Sequence, residues 1–297
     1  RWRRLRPGGL RGTEQGLIAK YFLGCPGWGT KTWVGKLFPT GTRSTEFLEH
    51  YARVFNTVEG NTTFYALPTP DIVARWRDQV TPSFRFCFKF PRTITHDKLL
   101  VGCAGEVDEF LARIAPLAIH QLMIQLPPRF DGSQLARLAA FLEQLPRHHH
   151  YAVEPRHECF FAGGPADHGL QTLLRERGVD LVVMDARGLH RTKSLTLAEV
   201  RGKKPALPVI VRATGARPIV RCVPHEDFAE SRAEVAQWAR DVAAWIAEGK
   251  TPTVFMHSPD DTFAPEHAYA FHAMLREHVD VGELPPWPGG PRQLALI

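Results

Sequence analysis

Eight short apolar segments alternate with helix-patterned segments between about residue 18 and residue 278, and this alternation restricts the fold more than any other feature. The strand-like segments are Ile18–Gly24, Asn56–Glu59, Phe84–Lys89, Leu122–Gln125, Tyr151–Glu154, Leu181–Asp185, Val209–Arg212 and Thr253–His257. They are short and rich in β-branched, aromatic and leucine residues, as expected of parallel strands covered on both faces. Helical spacing fills the gaps. Phe47, Leu48, Tyr51, Ala52 and Phe55 share one face, and Val235, Trp238, Ala239, Val242 and Trp245 share another. Thr69-Pro70-Asp71 reads as a helix start, Ser133 as another, and Pro265 falls in the first turn of the last helix. Eight strands alternating with helices predict an α/β chain, a single-domain (β/α)8 TIM barrel. A doubly wound open sheet is the alternative, but no glycine-rich fingerprint follows the first strand. The weakest pattern lies between Leu189 and Pro208, where the sixth crossover helix belongs.

In such a barrel the chemistry gathers at the C-terminal ends of the strands. Those ends read Cys25, Glu59, Lys89, Gln125, Glu154, Asp185, Arg212 and His257. A polar group at the end of an apolar run either caps structure or faces a ligand, because burying it without a partner costs free energy. The second strand shows this most clearly: it runs into Glu59, Asn61, Thr62 and Thr63 before Phe64 and Tyr65. On the third strand Phe84, Phe86 and Phe88 alternate with Arg85, Cys87 and Lys89. If the phenylalanines face the helices, Lys89 points into the barrel mouth. After the first strand, a Gly/Pro loop carries Trp28, which either walls a pocket or tucks over the barrel. His96 follows the third strand, and Glu154-Pro-Arg156-His157 places acid, base and imidazole within four residues. The triplet His148-His149-His150 precedes the fifth strand, at the opposite end of the barrel, and reads as a solvated loop.

Charge is unevenly placed. The chain carries a formal +6, yet residues 1–20 hold six basic side chains and one acid. The excess belongs to a basic extension over residues 1–17, expected to be disordered. The barrel is expected over 18–280 and a Pro/Gly-rich tail over 281–297. Five scattered cysteines form no C-x-x-C pair, which points to reduced thiols rather than a disulfide framework. No apolar run is long enough for a membrane span, and the N-terminal stretch lacks the apolar core of a signal peptide. A cytoplasmic location without membrane contact is the expectation.

The strings GCPGWGTKTWVGKLFP, FNTVEGNTTFYALP, FRFCFKFPRTITH, QLPPRF, VEPRHECFF and VVMD resemble the YecE-like family, also called domain of unknown function 72. The resemblance runs in order over about residues 20–280. It implies a TIM barrel and no settled reaction. Its recurrent positions map onto Trp28, Glu59, Asn61, Phe64, Tyr65, Lys89, His96, Gln125, Glu154, Arg156, His157 and Asp185. Two departures are Pro155, where members often have Phe or Val, and Cys25-Pro26 before Gly27-Trp28, where many have a Ser-Gly-Trp form.

Three functions are compatible with these residues. The first is an enzyme acting on a phosphate-containing ligand, a phosphodiester or sugar phosphate, with or without a divalent metal. Glu59, Lys89, Glu154, His157 and Asp185 would be its catalytic groups, and Trp28, Asn61, Tyr65, His96, Gln125, Arg156, Arg212 and His257 would bind the ligand. Glu59 or Glu154 would be the general base, and His157 or His257 the acid. The second is a binding module for nucleic acid or a metabolite. Gln293, Leu294, Leu296 and Ile297 resemble the short peptides that dock on the bacterial DNA sliding clamp, and would recruit it there. The third, by fold analogy alone, is a sugar isomerase or epimerase.

Overall fold

The computed structural model describes residues 20–288, with only the backbone described at Leu195 and Lys203. The expected basic extension over 1–17 and the segment Gln293–Ile297, expected to resemble a clamp-docking peptide, lie outside the described residues. Eight strands are present: β1 (Phe22–Gly24), β2 (Thr57–Gly60), β3 (Arg85–Lys89), β4 (Ile119–Gln125), β5 (Tyr151–Glu154), β6 (Asp180–Asp185), β7 (Ile219–Cys222) and β8 (Thr253–Met256). All pair in parallel, in the order β1-β8-β7-β6-β5-β4-β3-β2. With helices alternating around it, this is a (β/α)8 TIM barrel.

The seam between β1 and β2 is closed mainly by side chains. The Asn56 amide takes the place of a ladder rung: its Oδ1 accepts from Leu23 N at 2.8 Å, and its Nδ2 donates to Tyr21 O at 3.0 Å. The Tyr51 hydroxyl accepts from Cys25 N at 2.7 Å and donates to Thr57 O at 3.0 Å. Just past the end of β1, Cys25 O accepts from Glu59 N of β2 at 3.1 Å. The two backbones run so close that a Cβ on Gly24 would stand 2.2 Å from Thr57 O.

Strand alternation sets two apolar layers. Phe84, Phe86 and Phe88 face the helices, where Trp76 stacks against Phe86 and Phe88. Cys87, Met123, Ala152, Val182, Ile219 and Phe255 fill the barrel interior as a separate cluster. Lys89, two residues past Cys87, therefore rises into the mouth, as the phase of the strand predicts.

Around the barrel, Thr69 caps the helix Pro70–Gln79 by accepting from Ile72 N at 3.4 Å. Asp131, not Ser133, caps the turn that leads into the helix Leu135–Gln144, accepting from Ser133 N at 2.9 Å. Val235, Trp238, Ala239, Val242 and Trp245 lie on the buried face of Arg232–Ala247. Pro265 sits in the first turn of Ala264–Arg276. Past that helix the chain packs back onto it: Trp287 is buried edge-on against Tyr269, whose hydroxyl donates to Pro285 O.

One strand differs from expectation. Val209–Arg212 is not a strand but an irregular, half-exposed part of the β6–β7 connection, and β7 is Ile219–Cys222. Both runs are short and β-branched, so periodicity does not separate them. The second run buries every residue, placing Ile219 in the inner layer and Arg221 against two carboxylates. The connection itself holds only the short helices Arg187–Arg191 and Ala198–Lys203 with a single turn between them, which accounts for the weak pattern there.

Candidate functional site at the barrel mouth

Arg221 stands at the centre of the mouth. It grips Glu59 with both prongs, Nε to Oε2 and Nη2 to Oε1, each at 2.7 Å. Its Nη1 donates to Glu154 Oε2 at 2.8 Å. Arg156 donates from Nε to the other Glu154 oxygen at 2.6 Å and from Nη2 to Gln125 Oε1 at 3.1 Å. Lys89 Nζ lies 3.0 Å from Glu59 Oε1, and His257 Nε2 lies 3.1 Å from Glu59 Oε2. Glu59 and Glu154 are fully buried, and the others retain at most 9% of their exposure. Charges this deep are tolerated only when paired and hydrogen-bonded.

The pairing sets the protonation states. Burial alone would push Glu59 up, but Arg221, Lys89 and His257 together hold it well below the usual carboxylate range. Burial likewise opposes the charge on Glu154, yet Arg156, Arg221 and Lys89 bring it down to about 2. Burial and the Arg221 charge push Lys89 down to about 8, against the pull of Glu59 and Glu154. Arg221, between two carboxylates, is held above its ordinary value despite burial.

Two groups border this cluster. Half-buried Lys204, from the β6–β7 connection, feels Asp261, Arg221, Glu59 and Arg156, and burial lowers its pKa. His96 is pushed down to about 4 by burial and by the Arg156, Arg92 and Arg129 charges. It packs edge-on against Phe64, in the turn Thr62–Tyr65 that follows β2. Thr63 ties that turn to β3, donating to Lys89 O at 2.7 Å. Behind the cluster, His257 Nδ1 and Asp261 Oδ1 face each other at 3.6 Å, both buried and neither hydrogen-bonded.

Of the residues expected from sequence, the mouth therefore brings together Glu59, Lys89, Gln125, Glu154, Arg156 and His257, with His96 at its rim. Others stand elsewhere. Asp185 turns out of the barrel: it accepts from Arg187 at 2.7 and 3.0 Å and from Trp238 Nε1 at 2.8 Å, fastening β6 to the helix Arg232–Ala247. Val182 is in the inner layer, so Asp185, an odd number of residues further on, has the opposite phase. His157 caps a turn, accepting from Cys159 N at 3.2 Å, and has no hydrogen bond to the cluster. Arg212, displaced with its expected strand, donates to Asp167 Oδ1 at 2.7 Å and to Phe160 O at 2.8 Å. Trp28 packs edge-on against Trp76 and Phe86 on the helix-facing side. Tyr65 is 77% exposed beside Phe64, and Asn61 is half-buried at the start of that turn. Arg221 and Lys204 were not expected. The alternation Ile219-Val220-Arg221-Cys222 marks Arg221 once Ile219 is known to point inward; no comparable pattern marks Lys204.

A divalent metal does not suit this donor set. All four oxygens of Glu59 and Glu154 already face cationic side chains or His257. Among the described residues, no three His, Cys, Asp or Glu side chains are grouped to hold a metal ion.

A parallel eight-stranded barrel with a buried, cation-rich mouth at its strand ends is the class that fold and site define. The profile of the family described as "Protein of unknown function DUF72" matches residues 22–291. The UPF0759 protein YecE of Escherichia coli K12 is 41% identical over 272 residues, covering 90% of this chain and 97% of that protein; its counterpart in strain O157:H7 matches equally. The chain belongs to the DUF72 family. Crystal structures of two DUF72 family proteins share the fold. The one from Thermotoga maritima superposes with a TM-score of 0.67 at 22% identity, covering 86% of this chain and 99% of its own. The one from Enterococcus faecalis gives 0.65 at 18%, covering 90% and 98%.

Proposed function

We propose that the barrel mouth binds a phosphate-containing ligand, a sugar phosphate or a phosphodiester, and acts on it there. One observation carries the reading: Lys89, Arg156 and Arg221 converge on Glu59 and Glu154, so these five buried side chains carry one positive charge more than negative. Lys204 approaches from the β6–β7 connection, where the Asp261 carboxylate offsets its charge. Surplus cationic charge in a low-dielectric site is costly alone and becomes favourable when a ligand supplies the anion. Guanidinium forks match phosphate oxygens, and the ammonium of Lys89 has hydrogens beyond the one aimed at Glu59. His257 against Glu59 provides a proton-carrying pair beside the bound anion.

Calorimetric titration with inorganic phosphate, a sugar phosphate and a 5′-phosphorylated oligonucleotide tests this and separates the ligand sources. Binding should weaken as salt rises. Arg156→Ala should cost about tenfold or more in affinity, since a hydrogen bond to a charged group is worth ~1.5–3 kcal/mol. If none of the three binds the wild-type chain, the reading is wrong.

A further inference from the structure

We infer that Lys89 is an imine-forming lysine, and that the ligand of the mouth is a carbonyl compound carrying a phosphate group, a phosphorylated aldehyde or ketone. The inference rests on reading the mouth as a phosphate site and narrows its substrate class.

The mouth uses two different kinds of cation. Arg156 and Arg221 cannot release a proton in a protein, so they can hold an anion but cannot attack carbon. Lys89 can. It ends β3, keeps 6% of its exposure, and stands above the apolar layer that contains Cys87. Its ammonium meets one carboxylate, that of Glu59. Burial and Arg221 lower it to about 8, so part of it is free amine near neutral pH.

Glu59 supplies the second requirement, a path for protons. Its Oε1 lies 3.0 Å from Lys89 Nζ and its Oε2 3.1 Å from His257 Nε2, so one carboxylate bridges amine and imidazole. In the step this allows, the neutral amine adds to the carbonyl carbon. The C–N bond forms, and the C=O π pair becomes an alkoxide that takes, by way of Glu59, one of the two protons on the nitrogen. The remaining nitrogen proton passes through the Glu59–His257 pair to the hydroxyl, which leaves as water as the nitrogen lone pair forms the C=N bond. Carbonyl and amine go to imine and water, with no oxidant or reductant. Arg156, at the outer side of the cluster, would hold the phosphate end.

The test uses the full chain with dihydroxyacetone phosphate as probe and cyanoborohydride to reduce any imine, read by intact mass and peptide mapping. One adduct per chain at Lys89, suppressed by excess inorganic phosphate and lost in Lys89→Arg, is the expected result. The competition by phosphate uses wild-type protein and so does not depend on how the variant folds. Phosphate binding without an adduct at Lys89, or adducts confined to exposed lysines such as Lys31 and Lys98, overturns the inference and leaves the phosphate reading standing. No phosphate binding at all removes both.

Discussion

At the residue scale the mouth is a set of charges that cannot be removed singly without cost. Glu154 is fully buried and accepts from both Arg156 and Arg221. Glu154→Gln leaves two buried guanidinium groups short of a counter-charge, and breaking a buried pair in this way costs ~3–5 kcal/mol. Chemical denaturation should show a loss of that order, whereas Glu158→Gln, on an exposed turn, should stay within ~0.5 kcal/mol of wild type. The residues also show what sequence can and cannot reveal. Glu59, Lys89, Glu154 and His257 were legible because parallel strands bring all their C-terminal ends to one side. Asp185 has the same rank at its strand end but the opposite phase, so rank alone misplaced it. His157 follows its strand by three residues, where a turn rather than the pleat decides its direction.

At the element scale the seam between β1 and β2 is the informative feature. Asn56 and Tyr51 do there what backbone ladders do elsewhere, and Gly24 permits the close approach. Gly24→Ala drives a methyl into Thr57 O, a backbone atom that cannot swing aside; overpacking of this kind typically costs ~1–3 kcal/mol. A thermal melt of Gly24→Ala that matches wild type would contradict this account of the seam. The exchange of Val209–Arg212 for Ile219–Cys222 carries a complementary lesson. Two short β-branched runs lie within one weakly patterned connection, and local propensity scores them alike. The partners of Arg221, Glu59 and Glu154, are 162 and 67 residues away in sequence, so no local window contains the reason for the choice.

At the scale of the whole molecule, the buried charges make stability depend on pH at both ends of the scale. Glu154 titrates near 4.5 when unfolded and at about 2 when folded. Below 4.5 the unfolded chain therefore binds more protons, and this group's contribution is lost as pH falls from about 4.5 to 2. Lys89 drops from 10.5 to about 8 on folding. Between those values the unfolded chain again binds more protons, so its contribution to stability rises with pH from about 8 to 10.5, by up to ~3 kcal/mol. Denaturation midpoints of wild type and Lys89→Met, compared from pH 7 to about pH 10.5, should move in favour of wild type as pH rises; a constant difference would contradict the lowered pKa.

The sequence by itself determined the barrel, most of its strands, the end of the barrel at which polar groups gather, and the inward phase of Lys89. These follow from periodicity and composition, which act within a few residues. Among the described residues, no helix is long and apolar enough to cross a membrane, in keeping with the absence of long apolar runs. Only the tertiary structure decided which polar strand ends meet. Closing eight strands into a ring sets Arg221 between Glu59 and Glu154 and turns Asp185 towards Trp238. Whether a buried charge finds its counter-charge depends on distances across the barrel, and those distances exist only after the ring has closed.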